Sequence, residues 1–193
     1  LEQIEVVNSK GNDKDMKITN VFDAVLKGTF EDFKNFYNGE ANQINPHSKF
    51  NLLSTAMLND KNPEDKLAIT EYLLKDGIDV SFTDSLYNRN ALHTFFFNIM
   101  KGPKDYMETV VRLLVENGVD VNAVDKFNSI PLKYAITVNK NTTEDVKDIY
   151  YYLVEKGSDV NIKDTFNKSI LDYAKEFPWR NDFLEIVKEY EHG

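Results

Sequence analysis

Tyr152-Leu153-Val154-Glu155-Lys156-Gly157-Ser158-Asp159-Val160-Asn161 decides the fold, because the chain carries three versions of it. The earlier copies are Tyr72-Leu73-Leu74-Lys75-Asp76-Gly77-Ile78-Asp79-Val80 and Leu113-Leu114-Val115-Glu116-Asn117-Gly118-Val119-Asp120-Val121-Asn122. Working outward, a second motif recurs in phase with the first. It reads Asn51-Leu52-Leu53-Ser54-Thr55-Ala56, Asn90-Ala91-Leu92-His93-Thr94-Phe95, Ile130-Pro131-Leu132-Lys133-Tyr134-Ala135 and Ser169-Ile170-Leu171-Asp172-Tyr173-Ala174. Its leucines, Leu53, Leu92, Leu132 and Leu171, are spaced 39, 40 and 39 residues apart. A fixed period of this length is the signature of a stacked-repeat architecture.

Each unit reads as helix, turn, helix, loop. Apolar residues three and four apart, such as Leu53, Ala56 and Met57, predict the first helix. Stretches at 66–75, 106–116 and 146–156 predict the second. Its starts are marked by Asn62-Pro63-Glu64-Asp65, Gly102-Pro103-Lys104-Asp105 and Asn141-Thr142-Thr143-Glu144-Asp145. Proline loses nothing in a first helical turn, and carboxylates favour the positive end of the helix dipole. Gly77, Gly118 and Gly157 are expected to stop the second helix in the left-handed region. Asp125-Lys126-Phe127-Asn128 and Asp164-Thr165-Phe166-Asn167 then read as turns, Asp binding its own backbone and Asn tolerating positive φ.

These motifs resemble the ankyrin repeat, most closely at Ile130-Pro131-Leu132, Ala91-Leu92-His93 and Gly118-Val119-Asp120-Val121-Asn122. The resemblance covers the chain from about Asn20 and implies an all-α solenoid of five units with projecting hairpin-like fingers. The units fall at 20–45, 46–82, 83–123, 124–162 and 163–193, after a polar, loosely held lead-in over 1–19. The first unit is degenerate, with Ala24, Gly28 and Phe33 at family-like spacing, and the last helix is polar on one face, as a capping unit requires. The period of 39–41 exceeds the family's roughly 33 residues, the excess lying between the helices of a unit. Asn128 and Asn167 stand where the family has a turn glycine, and Phe95 where it has a small residue. By the same resemblance, His93 braces neighbouring turns.

Composition narrows the function. Of 193 residues 41% are hydrophobic and 28% charged, an ordinary globular balance. Asp and Glu number 32 against 23 Lys and Arg, a net charge of −9. A uniformly acidic surface is expected, which disfavours nucleic acid and anionic membrane and favours a basic partner. Cysteine is absent, which removes disulfides, thiolate metal sites and cysteine nucleophiles. No stretch reaches the ~18 apolar residues of a membrane span; the longest, at 91–100, is broken by His93, Thr94 and Asn98. A cytoplasmic monomer is the expectation. Export stays open, because the chain begins at Leu1 rather than Met.

No catalytic, metal or cofactor site is expected. The three histidines lack metal-ligand spacing. Asp120-Val121-Asn122 and Asp159-Val160-Asn161 begin like calcium loops, but twelve residues in stand Pro131 and Ile170 rather than Glu. Repetition explains those acids as holding the loops between units. Nucleophile-elbow and phosphate-loop motifs are missing. The triplets Asn141-Thr142-Thr143 and Asn167-Lys168-Ser169 match glycosylation acceptors but read as a cap and a turn.

Protein binding is the expected function, through the finger and first-helix face that the resemblance makes concave. The candidate partner-binding residues are Phe50, Leu86, Tyr87, Arg89, Lys126, Phe127, Thr165, Phe166 and Lys168 on the fingers, and Phe97, Asn98, Lys133 and Thr137 on the first helices. Aromatic groups flanked by long cations are enriched in interface hot spots. The same aromatics have a second reading, in which each packs on its neighbour's finger and stiffens the row. The inter-helix loops at 60–63, 101–104, 138–143 and 177–181 offer a second candidate surface. Trp179 within the last reads as a cap over the final unit's core or as an exposed anchor. An inhibitor masking a basic toxin or nuclease, and an adaptor joining two proteins, are the alternatives.

Overall fold

Caps and spacing place ten α-helices in a computed structural model that describes residues 17–58, 62–98 and 102–192. They are α1 (Val21–Lys27), α2 (Phe30–Phe36), α3 (Leu52–Ala56), α4 (Pro63–Lys75), α5 (Ala91–Phe97), α6 (Lys104–Glu116), α7 (Pro131–Thr137), α8 (Thr143–Glu155), α9 (Ile170–Glu176) and α10 (Asn181–His192). The fold is all-α. Among the described residues the only extended pairing is one antiparallel bridge between Ile44 and Asn51.

The first helix of each unit is short, and its capping residue fixes where it starts. Asn51, Asn90 and Ser169 accept the N–H groups of Ser54, His93 and Asp172, satisfying donors that a helix start leaves orphaned. α7 has no such side-chain cap and begins instead with Pro131. Both acceptor triplets serve as caps and turns: Thr142 caps α8, Ser169 caps α9, and Asn167 sits at φ 60°.

Packing follows the repeat. Odd-numbered helices touch in succession from α1 to α9, and even-numbered helices touch in succession from α2 to α10. The two rows meet within units, as α1 on α2, α3 on α4, α5 on α6 and α9 on α10. In the fourth unit the Tyr150 hydroxyl of α8 donates to the Ala135 carbonyl of α7 at 3.0 Å. Between the rows runs one apolar core. Leu53, Leu92 and Leu132 are buried in it, while Leu171 is half-buried. Phe95, in place of a small residue, is also buried and meets Phe96 edge-on at 5.4 Å.

Gly77, Gly118 and Gly157 lie at φ 82°, 97° and 84° directly after the second helices. A side chain is strained in that region, so glycine ends the helix there at little cost. Residues 1–16 of the expected lead-in lie outside the described residues, as do parts of the loops at 60–63 and 101–104. The last residues of the lead-in, 17–19, are docked: Ile18 packs on the core and Thr19 bonds Asp23 of α1.

Candidate functional site

The fingers of the third, fourth and fifth units are each built on one aspartate, and that of the second on Asn45, which accepts the N–H groups of His47 and Ser48. Asp84 accepts the N–H groups of Leu86, Tyr87 and Arg89; Asp125 accepts those of Phe127 and Ser129; Asp164 accepts those of Phe166 and Lys168. A carboxylate holding several N–H groups fixes the turn as a side-chain analogue of a backbone turn. Asn88, Asn128 and Asn167 then take φ of 61°, 53° and 60°, and Lys49 takes 63° in the second unit.

The left-handed asparagines also join the fingers. The amide of Asn88 donates to the Val124 carbonyl at 2.8 Å, and that of Asn128 to the Lys163 carbonyl at 2.6 Å. Backbone bonds run beside them, from Lys126 N to the Tyr87 carbonyl at 2.9 Å and from Thr165 N to the Phe127 carbonyl at 3.0 Å. At the finger bases, Asn122 receives the Asp159 N–H and donates to the Gly157 carbonyl. Asn42 makes the same pair with Asp79 and Gly77. Asp120 and Asp159 each close their own turn on the residue two along, so the neighbouring asparagine crosses between units, not the acid.

Beneath the fingers, His93 braces the next unit. Its Nδ1 lies 3.3 Å from the Asn90 N and 2.8 Å from the Asn90 Oδ1, and its Nε2 lies 2.8 Å from the Ser129 carbonyl. Burial holds its pKa below the usual 6.5, outweighing the upward pull of the Ser129 bond and Asp125. In the next two units the residue nine positions past the finger aspartate is a tyrosine. The Tyr134 hydroxyl donates to Asp125 at 2.5 Å and the Tyr173 hydroxyl to Asp164 at 2.6 Å. Burial, then the Asp125 bond, push Tyr134 up to about 12. Burial raises the Asp164 carboxyl, but Tyr173, the two finger N–H groups and Lys133 together hold it below the usual carboxylate range.

A cation from the preceding unit completes each set. Arg89 reaches Asp125 at 3.3 Å and Lys133 reaches Asp164 at 3.5 Å. The cations also lie over rings. The Arg89 guanidinium is 4.3 Å from the Phe97 ring centre, 4.9 Å from Tyr87 and 5.0 Å from Tyr134. Lys133 lies over Tyr134 and Tyr173, and Lys168 over Tyr173 while paired to Glu176. The line of rings continues through Phe177, 6.2 Å from Tyr173, to Trp179, stacked on Phe177 at 4.9 Å. Alternating rings and cations therefore cross three units as one stripe.

The sequence candidates divide on this frame. Arg89 and Lys133 are half-buried within the stripe. Asn98 is half-buried and donates to the Met57 carbonyl, and Thr137 bonds its own helix at Lys133, so both serve the scaffold. Phe50 is half-buried; its carbonyl closes the second finger by accepting from Asn45. Leu86, Tyr87, Phe97, Lys126, Phe127, Thr165 and Phe166 are exposed, Phe166 most of all at 72%. Tyr87 and Phe127 stack at 6.3 Å. Sequence reasoning missed Tyr134 and Tyr173, for which the recurrence of Tyr at the same place in two units was the available signal; Phe177 lies in the inter-helix loop at 177–181 that was read as a second surface.

Trp179 does not cap the core, for it is 58% exposed. Its neighbour Arg180 is fully buried instead. Arg180 donates to the carbonyls of Ile136, Asn139 and Asn141 at 3.0, 2.5 and 2.8 Å, capping the chain as it leaves α7. Carbonyls at a helix C-terminus carry partial negative charge, which suits a buried cation.

Charge is not spread evenly, which corrects the expectation of a uniformly acidic surface. The second helices α2, α4, α6, α8 and α10 hold sixteen carboxylates and seven Lys or Arg. The first helices hold three of each. The chain's −9 thus equals the surplus of the second row alone. Among the described residues no group of three or more His, Cys, Asp or Glu is placed to hold a metal ion, and no helix is long and apolar enough to cross a membrane. Comparison with known protein families and with curated proteins finds no match for this chain.

Proposed function

We propose that the chain is an ankyrin-type repeat solenoid acting as a non-enzymatic protein-binding module through its finger and first-helix face. The observation that carries this reading is the exposed apolar row of Leu86, Tyr87, Phe127 and Phe166 on fingers already braced by other means, with Phe97 exposed at the end of α5. Backbone bonds and asparagine amides tie finger to finger, so bracing does not require these rings to face solvent. Exposed apolar groups aligned on one face mark an interaction surface. Aromatic anchors beside cations are the residue types that dominate binding energy.

The test is capture of partners by the full chain and by a Leu86→Ser/Phe166→Ser variant. A partner bound by the first and lost by the second, with the thermal midpoint unchanged, supports the reading. Partners retained equally by both chains overturn it. The acidic second-helix row favours a second reading, a two-partner adaptor or an inhibitor of a basic protein, with the basic surface on that row. Charge-neutral Gln substitutions across α8 and α10 that release a partner while the finger variant keeps it would select this alternative.

A further inference from the structure

The charges of the finger and first-helix face specify its partner further, and this step rests on the binding role proposed above. From the third unit onward every carboxylate of the face is engaged. Asp84 holds its turn, Asp125 and Asp164 hold theirs together with Arg89 and Lys133, Asp172 caps α9 through Ser169, and Glu176 pairs with Lys168. Three exposed cations on the same face, Lys126, Lys163 and Lys175, have no carboxylate within ion-pair distance among the described residues. Lys126 reaches only the Ser85 carbonyl. Exposed Phe127 follows Lys126 in the fourth finger, and exposed Phe166 lies on the fifth finger, which the Thr165 N to Phe127 O and Asn128 to Lys163 O bonds hold against it.

We propose that the face of the fourth and fifth units takes an acidic segment of a partner protein, its carboxylates on Lys126, Lys163 and Lys175 and its apolar side chains on Phe127 and Phe166. Charge complementarity selects this occupant, since bound carboxylates would meet three cations that form no ion pair, while Asp172, the carboxylate that Lys163 and Lys175 act on, is already held by the Ser169 N–H and hydroxyl. Single-stranded nucleic acid offers anions and stacking bases as well. Its dense phosphate charge would, however, also feel the surplus carboxylates of the second row, which a short peptide with few acids largely escapes.

The probe is a library of random dodecapeptides displayed on phage, selected on the full chain and counter-selected on a Phe127→Ser/Phe166→Ser variant. Enrichment of Asp- and Glu-bearing peptides that also carry an apolar residue is the expected result. Their affinity should fall about tenfold in a Lys126→Glu/Lys163→Glu/Lys175→Glu variant, each exposed pair contributing a few-fold. Lys→Gln versions at the same positions give a smaller loss in the same direction and replace the reversals should these misfold. Lys- and Arg-rich peptides, or indifference to charge reversal, overturn the acidic assignment while leaving the binding face intact. Failure to enrich any peptide that depends on Phe127 and Phe166 overturns both. Oligothymidylate of equal length displacing the selected peptides at lower concentration overturns the choice of protein over nucleic acid.

Discussion

The two rows of helices are held by different forces. Successive first helices and fingers are joined by directional bonds: His93 to Ser129, Arg89 to Asp125, Lys133 to Asp164, and asparagine amides to neighbouring backbone. Successive second helices meet mainly through buried apolar side chains such as Ile69, Val110, Ile149 and Phe183, with only a few polar contacts between neighbours (Phe30 N–H to Asp65, Lys104 to Asp148, Tyr151 to Glu189), and they carry the acidic surplus. Directional bonds fix register residue by residue, whereas burial is non-directional and tolerates exchange of one apolar group for another. The first row is therefore where sequence motifs concentrate and where a surface of fixed geometry can be presented. The second row can accumulate charge without disturbing the stack.

Arg180 is the point where that contrast breaks, because a buried cation near the second row is held by carbonyls rather than by packing. Arg180→Ala leaves the Ile136, Asn139 and Asn141 carbonyls without their donor in the interior. The expected loss is about 3–5 kcal/mol, read from urea unfolding, since three buried carbonyls lose their donor at about 1–3 kcal/mol each. Leu132→Ala, in the apolar core under the first row, should cost ~2–5 kcal/mol by transfer and cavity terms. An Arg180→Ala loss well below that of Leu132→Ala would show the arginine to be filler rather than cap.

How far such features could be read from sequence depends on how local their physics is. The leucine period, the left-handed glycines and the asparagines at 128 and 167 are written within a few residues, and the structure places them as the motifs require. The face carrying Tyr87, Phe97, Phe127 and Phe166 was legible for the same reason, as one finger repeated. Arg180 was not, because its carbonyl partners lie 39–44 residues earlier and carbonyls leave no mark on sequence. Trp179 drew attention as the larger and more apolar group, yet the guanidinium beside it found more bonds inside than the indole would have. The partition of charge was hidden too. Composition reports −9, but only the helix bounds reveal which row carries it.

Acidification tests the polar row by itself. Because His93 is held below 6.5 in the folded chain, the unfolded chain takes up its proton first as pH falls. Stability contributed by the neutral imidazole is thus complete above about pH 6.5 and declines as pH drops toward the lower folded value. Urea midpoints measured between pH 7.5 and 5 should fall for the wild-type chain. In His93→Gln, which cannot titrate, the curve should be flatter over the same window, though lower throughout for want of the bond to Ser129. Identical slopes in both chains would mean that other groups carry the pH response and that the brace tolerates a charged imidazole.

The smallest expected effect concerns the same row at its most exposed position. Phe166 gives up 72% of its surface to solvent, and the bonds that tie its finger to the preceding one, from Thr165 N to Phe127 O and from Asn128 to Lys163 O, involve no ring atom. Removing the ring in Phe166→Ser should therefore change stability by less than about 0.5 kcal/mol, the range of surface substitutions that break no specific feature. Phe127→Ala forfeits in addition the stack on Tyr87 at 6.3 Å, and should cost about 0.5–1.5 kcal/mol more. Equal and negligible losses at the two positions would make both rings available to a partner; equal and large losses would assign both to the scaffold. The ordered pair, with Phe127 costlier than Phe166, is what a finger row that stiffens toward its middle and stays open at its fifth unit demands.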